Sequence, residues 1–443
     1  MARPFLVEKL LCGSCSKPDD GGVNAKPQPI DLLLSGAFEV ATPQGTEPRG
    51  GAALGRLSVF PGAAIAVHEG RILAVGDRAE LKASYAPQKE WDADGGCVIP
   101  GFVDSHTHPV FAGTREGEFE ARLAGQSYLE IAAAGGGIVS SMQGVRAASE
   151  ESLLALLLTR LDRFLALGTT TVEAKSGYGL CLEDELKCLR VLRAADAAHP
   201  VSIVPTFLGA HDYPPEYKDR KADYEALVIE EMLPAVAEQG LAEYCDVFTE
   251  SHVFGLDATR RIAHSARDLG LGIRLHVDQL TPLGGAQLAA ELGAASADHL
   301  EHVSSAGIDA LGLAGVVPVL CPLVPLFLRE EQEAPGRAMV RAGLAPALAT
   351  DFNPGSCYVQ SMPEVLSWGA LRYGLSAGEA LTAATLNAAC SLGRGDDRGS
   401  IEPGKRADLL VTDLPHHGHL TYELGRSPVR SVFVQGQLVW ERG

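Results

Sequence analysis

The sequence predicts an α/β protein: a TIM-like (β/α)8 barrel carrying a small β-sandwich module formed by N- and C-terminal segments. Three observations lead there. Eight short apolar runs alternate with longer stretches of helical period through the middle of the chain, which is the rhythm of a parallel sheet. The middle spans about 300 residues, the usual size of a closed barrel of eight such units. Both ends of the chain read as β-hairpins, and they can join in one module only if the middle returns them to the same place.

In chain order, residues 1–29 (MARPFLVEKLLCGSCSKPDDGGVNAKPQP) are poor in periodicity and rich in Gly, Pro and Asp, and read as a loose tail. They lack the long apolar core and small-residue cleavage site of a secretory signal. Cys12 and Cys15 form a C-x-x-C without the second pair that a structural zinc site requires. Nine scattered cysteines do not resemble a disulfide framework, so a reducing cytoplasm is the expected location.

Residues 30–95 together with 400–443 form the expected composite β-module. AIAVHEGRILAVGD (64–77) is two short strands hinged on Glu69-Gly70. VRSVFVQGQLVWERG (429–443) repeats the design around Gln435-Gly436, and ADLLVTD (407–413) adds a strand. The barrel is expected over 96–399. Its eight strand runs are CVIPGFVDSH (97–106), TTTVEAK (169–175), VSIVPTFLGAH (201–211), YCDVFTES (244–251), GIRLHVD (272–278), SADHLEH (296–302), GVVPVLCP (315–322) and APALATD (345–351). Helical stretches such as SLLALLLTRLDRFLALG (152–168) and TRRIAHSARDLG (259–270) lie between them. GGGI (135–138), with SSMQGVR after it, reads equally as a loop over the site or a plain turn.

Composition narrows the partners. Lys plus Arg number 37 against 56 Asp plus Glu, a net charge of −19. Such a field repels phosphate backbones and argues against a nucleic-acid partner. An anionic small molecule would need a local cation in its pocket. No window approaches the apolar run that crosses a bilayer, so no membrane partner is expected.

The chemistry sits at the ends of the runs. Run one ends in His106-Thr107-His108, run three in His211, run five in His276, run six in His299 and run eight in Asp351. In a barrel these ends share one face, where active sites are built. Alternate residues on a strand share a side, so His106 and His108 can address one ion. Each histidine alone is ordinary. Five of them with an aspartate at successive run ends form a constellation, and imidazole with carboxylate suits zinc or iron.

VIPGFVDSHTHPVFAGTREGEFEARLAGQSYLEIAAAGGGIVSS (98–141) resembles the opening of the imidazolonepropionases. So do EAKSGYGL (173–180), FLGAH (207–211), ADHLEH (297–302) and ATDFNPGS (349–356), whereas SIEPGKRADLLVTD (400–413) is similar to the amidohydrolase superfamily in general. The resemblance runs over residues 30–443. It implies one divalent metal, zinc or iron, held by His106, His108, His276 and Asp351. It further implies Arg115 as the clamp for a substrate carboxylate, Tyr178 and His211 as other substrate contacts, and Asn353, Gly355 and Ser356 as a ligand-binding turn. His299 matches the catalytic histidine beside the metal, and Tyr128 is a further candidate. A homodimer is the implied assembly.

The implied reaction is the hydrolytic ring opening of 4-imidazolone-5-propanoate, a small anionic substrate, to N-formimino-L-glutamate in histidine degradation. A metal-activated hydroxide would attack the ring carbonyl, with the metal or His299 stabilising the oxyanion. Asp351 would carry the proton to the departing nitrogen. After His276 the chain reads Val277-Asp278-Gln279, where some family members and many related deaminases carry Glu. Gln279 can orient the ring but cannot act as a base, so proton transfer falls to Asp351 and His299.

Three alternatives stand beside this reading. Another cyclic-amide hydrolase or an aminohydrolase (deaminase) would use the same ligands, although a deaminase wants an acid at 279. A binuclear hydrolase would need a bridging lysine after run four, which ends Phe248-Thr249-Glu250; Lys175 ends run two instead. A barrel that has lost its chemistry would lack ligands, and all four are present.

Overall fold

The computed structural model describes residues 26–126, 130–131 and 135–443. Residues 1–25, most of the segment read as a tail, lie outside it, as does Tyr128. Eighteen strands follow in order. The first seven are β1 (Gln28–Ser35), β2 (Glu39–Thr42), β3 (Ser58–Pro61), β4 (Ala64–His68), β5 (Arg71–Gly76), β6 (Tyr85–Asp92) and β7 (Cys97–Pro100). Next come β8 (Phe102–Asp104), β9 (Thr169–Lys175), β10 (Ser202–Ala210), β11 (Tyr244–Thr249), β12 (Gly272–Val277), β13 (Ser296–His299), β14 (Val317–Leu320) and β15 (Ala347–Leu348). The last are β16 (Leu409–Thr412), β17 (Val429–Val434) and β18 (Gln437–Glu441).

Strands β8 to β15 form one parallel eight-stranded sheet in sequence order. Just beyond its end strands, Thr107 bridges Phe352 in parallel. There Asp351 N donates to His106 O at 3.1 Å and His108 N to Phe352 O at 2.9 Å. The sheet therefore curls into a barrel and brings the end of its first strand beside the end of its eighth. Helices cover the outside. Glu150–Ala166 starts at Ser149, whose side chain accepts from Ser152 N, an N-cap. It buries Leu153, Leu157, Leu161 and Phe164, the i, i+4 stripe that faces a core.

Two further sheets use the chain ends. One has the order β5-β4-β1-β6 and the other β18-β17-β16-β7-β2-β3. Leu34, Ile65 and Val67 from the first pack with Val40, Val98, Val411 and Phe433 from the second, so the two sheets share a core in the manner of a sandwich. Both hairpins form at the expected turns. Glu69 (φ 50) with Gly70 (φ 74), and Gln435 (φ 48) with Gly436 (φ 72), are left-handed pairs, as a two-residue hairpin requires.

Two expectations need correction. The run 97–106 is not one strand. Cys97–Pro100 lies between β16 and β2 in the six-stranded sheet, and only Phe102–Asp104 enters the barrel. Gly101 is the point of transfer, where its N–H donates to Asp408 O and Phe102 N to Gly168 O. A Cβ on Gly101 would stand 2.3 Å from the Thr170 hydroxyl oxygen. The segment after GGGI is neither loop nor turn: residues Ile138–Ala147 are a helix with Gly137 as its N-cap.

The Gly101 transfer yields a stability prediction. Thr170 is buried and offers its hydroxyl, methyl and Cβ to the intruding carbon, so Gly101→Ala is an overpacking substitution. It is expected to cost about 1–3 kcal/mol, read as a lower midpoint in urea unfolding. An unchanged midpoint would show that the strand moves aside without strain.

Candidate active site

The C-terminal ends of the barrel strands deliver the predicted residues to one place. His108 Nε2 lies 3.3 Å from His106 Nε2 and 3.2 Å from His276 Nε2. Asp351 Oδ1 lies 3.5 Å from His106 Nε2 and 3.4 Å from His108 Nε2. A tetrahedron of metal bonds about 2.1 Å long has edges of about 3.4 Å. These four distances therefore match the edges of one first coordination sphere, and the donor atoms fall into two sets sharing His106, one with His108 and His276 and one with His299 and Asp351, each within 4.8 Å of one another.

The tautomers agree. His106 Nδ1 bonds to Asp298 Oδ2 at 2.6 Å, and His276 Nδ1 lies 2.9 Å from Asp246 Oδ2. Burial holds His106 well below the usual range and His276 down to about 4, so both rings are neutral, and a carboxylate beside each Nδ1 favours the proton there. Each Nε2 then presents a lone pair to the others, an arrangement a cation between them satisfies. The donor set fits a divalent ion. Among the described residues, the groups able to hold a metal all include His106.

Backbone strain helps to aim the side chains. Asp351 (φ 50), His299 (φ 79) and its neighbour Leu300 (φ 71) adopt left-handed conformations at or just past strand ends, which cost about 1–3 kcal/mol each. Asp278 (φ 51) does so too, but points away: it caps the helix Gly285–Leu292 by accepting from Gly284, Gly285 and Ala286 N, each at 2.9 Å.

Above the four groups opens a cavity of about 550 Å³, lined by His108, Arg115, Ile138, Tyr178, His211, Phe248, His276, Gln279, Leu280, His299, Leu328, Asp351, Asn353 and Ser356. His211 stacks on His108, with ring centroids 5.1 Å apart. Its Nδ1 bonds to Gly177 O at 2.9 Å and burial lowers it to about 4, so its other nitrogen is an acceptor. Arg115, only 8% exposed, gives Nε and Nη2 to Glu118 Oε2 at 2.9 and 2.6 Å. The other Glu118 oxygen accepts from Gly137 N at 3.1 Å.

The turn after the eighth strand is built by Asn353. Its Oδ1 accepts from Gly355 and Ser356 N, and its Nδ2 donates to Asp351 O and the Ser356 hydroxyl, all within 2.8 Å. The Asn353 amide is thus engaged in shaping the turn. Gly355 lies against the clamp: a Cβ there would stand 2.2 Å from Arg115 Nη1, so only glycine leaves the guanidinium its place.

Burial works against a charge on His299. Glu301, whose carboxylate is 3.8 Å from its Nδ1, together with Asp351 and Asp298, nonetheless holds it up to about 9. Burial lifts the Asp351 carboxyl to about 7, with His299 the main opposing charge. Glu250 is structural, accepting from Leu280 N at 2.8 Å and from the Thr281 hydroxyl at 2.5 Å. Lys175 is buried between Glu173 and Asp246. Neither serves as a bridge between two metals. All seven described cysteines are free thiols, and among the described residues no helix is long and apolar enough to cross a membrane.

Reading the sequence missed Glu118, Asp246, Arg274 and Asp298. The signal for part of this set was present: Arg274 and His276 alternate on β12, in a run that is otherwise apolar.

A barrel with this donor set at its mouth defines an amidohydrolase, and the model of the amidohydrolase family matches residues 97–439. The bacterial imidazolonepropionase-like composite domain matches residues 63–86, within the terminal sheets. The chain is 47% identical over 420 residues to the imidazolonepropionase of Symbiobacterium thermophilum, covering 94% of this chain and 99% of that one. It is 49% identical over 396 residues to that of Solibacter usitatus, covering 89% and 95%. Among solved structures, 5-methylcytosine deaminase from Klebsiella pneumoniae with 5-fluorocytosine superimposes with a TM-score of 0.71 at 17% identity, covering 93% of this chain and 98% of that one. At that identity the likeness is one of fold. The chain belongs to the imidazolonepropionases of the amidohydrolase family.

Proposed function

We propose that this chain hydrolyses 4-imidazolone-5-propanoate to N-formimino-L-glutamate in histidine degradation, opening the ring at a cyclic amide C–N bond. The observation that carries the reading is one cavity bounded both by the donor residues His108, His276 and Asp351 and by the buried side chain of Arg115. The first suits activation of water beside a carbonyl, and the second suits the propionate of this substrate.

When bound at His106, His108, His276 and Asp351, a divalent ion supplies Lewis acidity and lowers the pKa of water toward about 7; zinc and iron both suit these donors. Asp351 takes the proton of the attacking water and returns it to the departing ring nitrogen. His299 faces the charge that develops on the carbonyl oxygen. Arg115 receives the propionate as a charge-assisted partner, with Glu118 Oε2 accepting from its Nε and Nη2 and holding the guanidinium in place. Tyr178, His211 and Gln279 orient the ring, and the turn at Asn353, Gly355 and Ser356 closes the carboxylate end. The expected state is a cytoplasmic homodimer with a small anionic substrate and no nucleic-acid partner.

The test is direct. Purified protein incubated with 4-imidazolone-5-propanoate is expected to remove its ultraviolet absorbance and release N-formimino-glutamate, and a chelator is expected to stop the reaction. A protein that is metal-replete and inert on this substrate, yet deaminates a pyrimidine or purine, would overturn the reading.

A further inference from the structure

Beneath the metal donors lies a layer of charge shut off from solvent. Glu173 and Lys175 on β9, Asp246 on β11, Arg274 on β12 and Asp298 on β13 are each 0% exposed. Lys175 Nζ lies 2.7 Å from Glu173 Oε1 and 2.9 Å from Asp246 Oδ2. Arg274 Nη2 lies 3.4 Å from Asp298 Oδ2, and its Nε 3.9 Å from Glu173 Oε1. The same guanidinium donates to Ser105 O and Ser391 O at 2.8 Å, which ties it to the residue before His106.

Charges buried in this way rarely add stability, because well-packed apolar residues of the same volume serve as well or better. The layer touches the site through two residues. Asp298 Oδ2 meets His106 Nδ1 at 2.6 Å, and Asp246 Oδ2 stands 2.9 Å from His276 Nδ1 while its Oδ1 accepts from His276 N at 3.2 Å. Strand alternation explains the arrangement: Arg274 and His276 share the inward face of β12, so a charged layer lies one step below the ligand layer.

We infer that Asp298 and Asp246 are positioning residues for the metal, fixing His106 and His276 in the tautomer whose Nε2 lone pair faces the ion. Lys175 and Arg274 offset their charge. The inference rests on the metal centre proposed above and adds the layer that orients it.

The test is metal competition rather than turnover. Metal-free protein is titrated with zinc against a chromophoric chelator, and its unfolding midpoint without metal is measured beside it. Wild type is expected to bind one equivalent, and Asp298→Asn and Asp246→Asn to bind one equivalent about 10–100-fold more weakly. The midpoints without metal should move far less than the loss of affinity would require. If wild type binds no metal, the centre itself is wrong. If wild type binds one and both variants match its affinity to within about threefold, less than 1 kcal/mol, the positioning role is wrong. Should the variants fail to fold, the imidazole ¹⁵N resonances of metal-free wild type decide: both His106 and His276 must be protonated at Nδ1, and protonation of either at Nε2 instead overturns the inference.

Discussion

Asp351→Asn is expected to lower kcat by at least about a hundredfold on enzyme that still holds its metal. The substitution keeps the shape of the side chain and changes two things. It removes the one anionic donor among the four groups, and it removes the group whose carboxyl is lifted by burial to about 7. Loss of a positioned acid–base group alone accounts for about 10²–10⁴ in rate. The amide can still accept from the Ser356 hydroxyl, 3.4 Å from Oδ2 in the native residue, and the Asn353 amide still grips the Asp351 carbonyl, so the turn should survive. Metal content must be measured on the same sample, since a weaker fourth ligand also lowers occupancy. Metal-replete Asp351→Asn within tenfold of wild-type kcat would falsify the proton route. Gln279→Glu belongs in the same assay. Activity should not require it, and a second carboxylate facing Asp351 raises the cost of ionising both.

Arg115→Met should act on KM instead. Methionine fills much of the same volume without the fork of donors, so the propionate loses a charge-assisted pair of about 1.5–3 kcal/mol. That corresponds to a rise of roughly ten- to two-hundredfold, with kcat at saturation and metal content little changed. Part of the effect comes through Glu118, which loses the guanidinium and keeps only Gly137 N among the partners named above. Glu118→Gln in the Arg115→Met background separates the two, because it neutralises the stranded carboxylate. An unchanged KM in Arg115→Met would move the propionate to the turn at Asn353 and Ser356.

The frame and the gathering of five histidines with Asp351 were legible because both obey short-range rules, whereas the choice of four donors among them came from the resemblance. Strand alternation placed His106 and His108 on one side, and the eight runs ended where the barrel face is. The strands are shorter than the runs for a physical reason. Sheet pairing ceases at or before the residues that turn left-handed, so β13 stops at His299 and β15 stops short of Asp351. The division of 97–106 was hidden because both halves are buried and apolar, and Gly101 was the only mark of it. The helix at Ile138–Ala147 was obscured by the three glycines before it and the two serines near its start. Least legible was the charged layer under the site. Its five members come from four strands, and nothing local says that Lys175 meets Asp246 or that Arg274 meets Asp298. The fork on Arg115 was different in kind, since Glu118 follows at i+3, a spacing that a short helical turn brings together.

The transfer at Gly101 has a consequence for the order in which the molecule can assemble. The strand that leads into His106 and His108 draws half its hydrogen-bond partners from β16, through Val98 with Val411, Ile99 with Leu410 and Pro100 with Leu409. Those partners leave the ribosome more than 300 residues later. Until then β7 has only β2 beside it, and the first barrel strand hangs from a ribbon with one open edge. Contacts so distant along the chain slow folding. They also mean that a polypeptide halted before Leu409 carries every proposed metal donor yet lacks the strand that pairs with β7, so the last tenth of the chain governs when His106 and His108 come to rest.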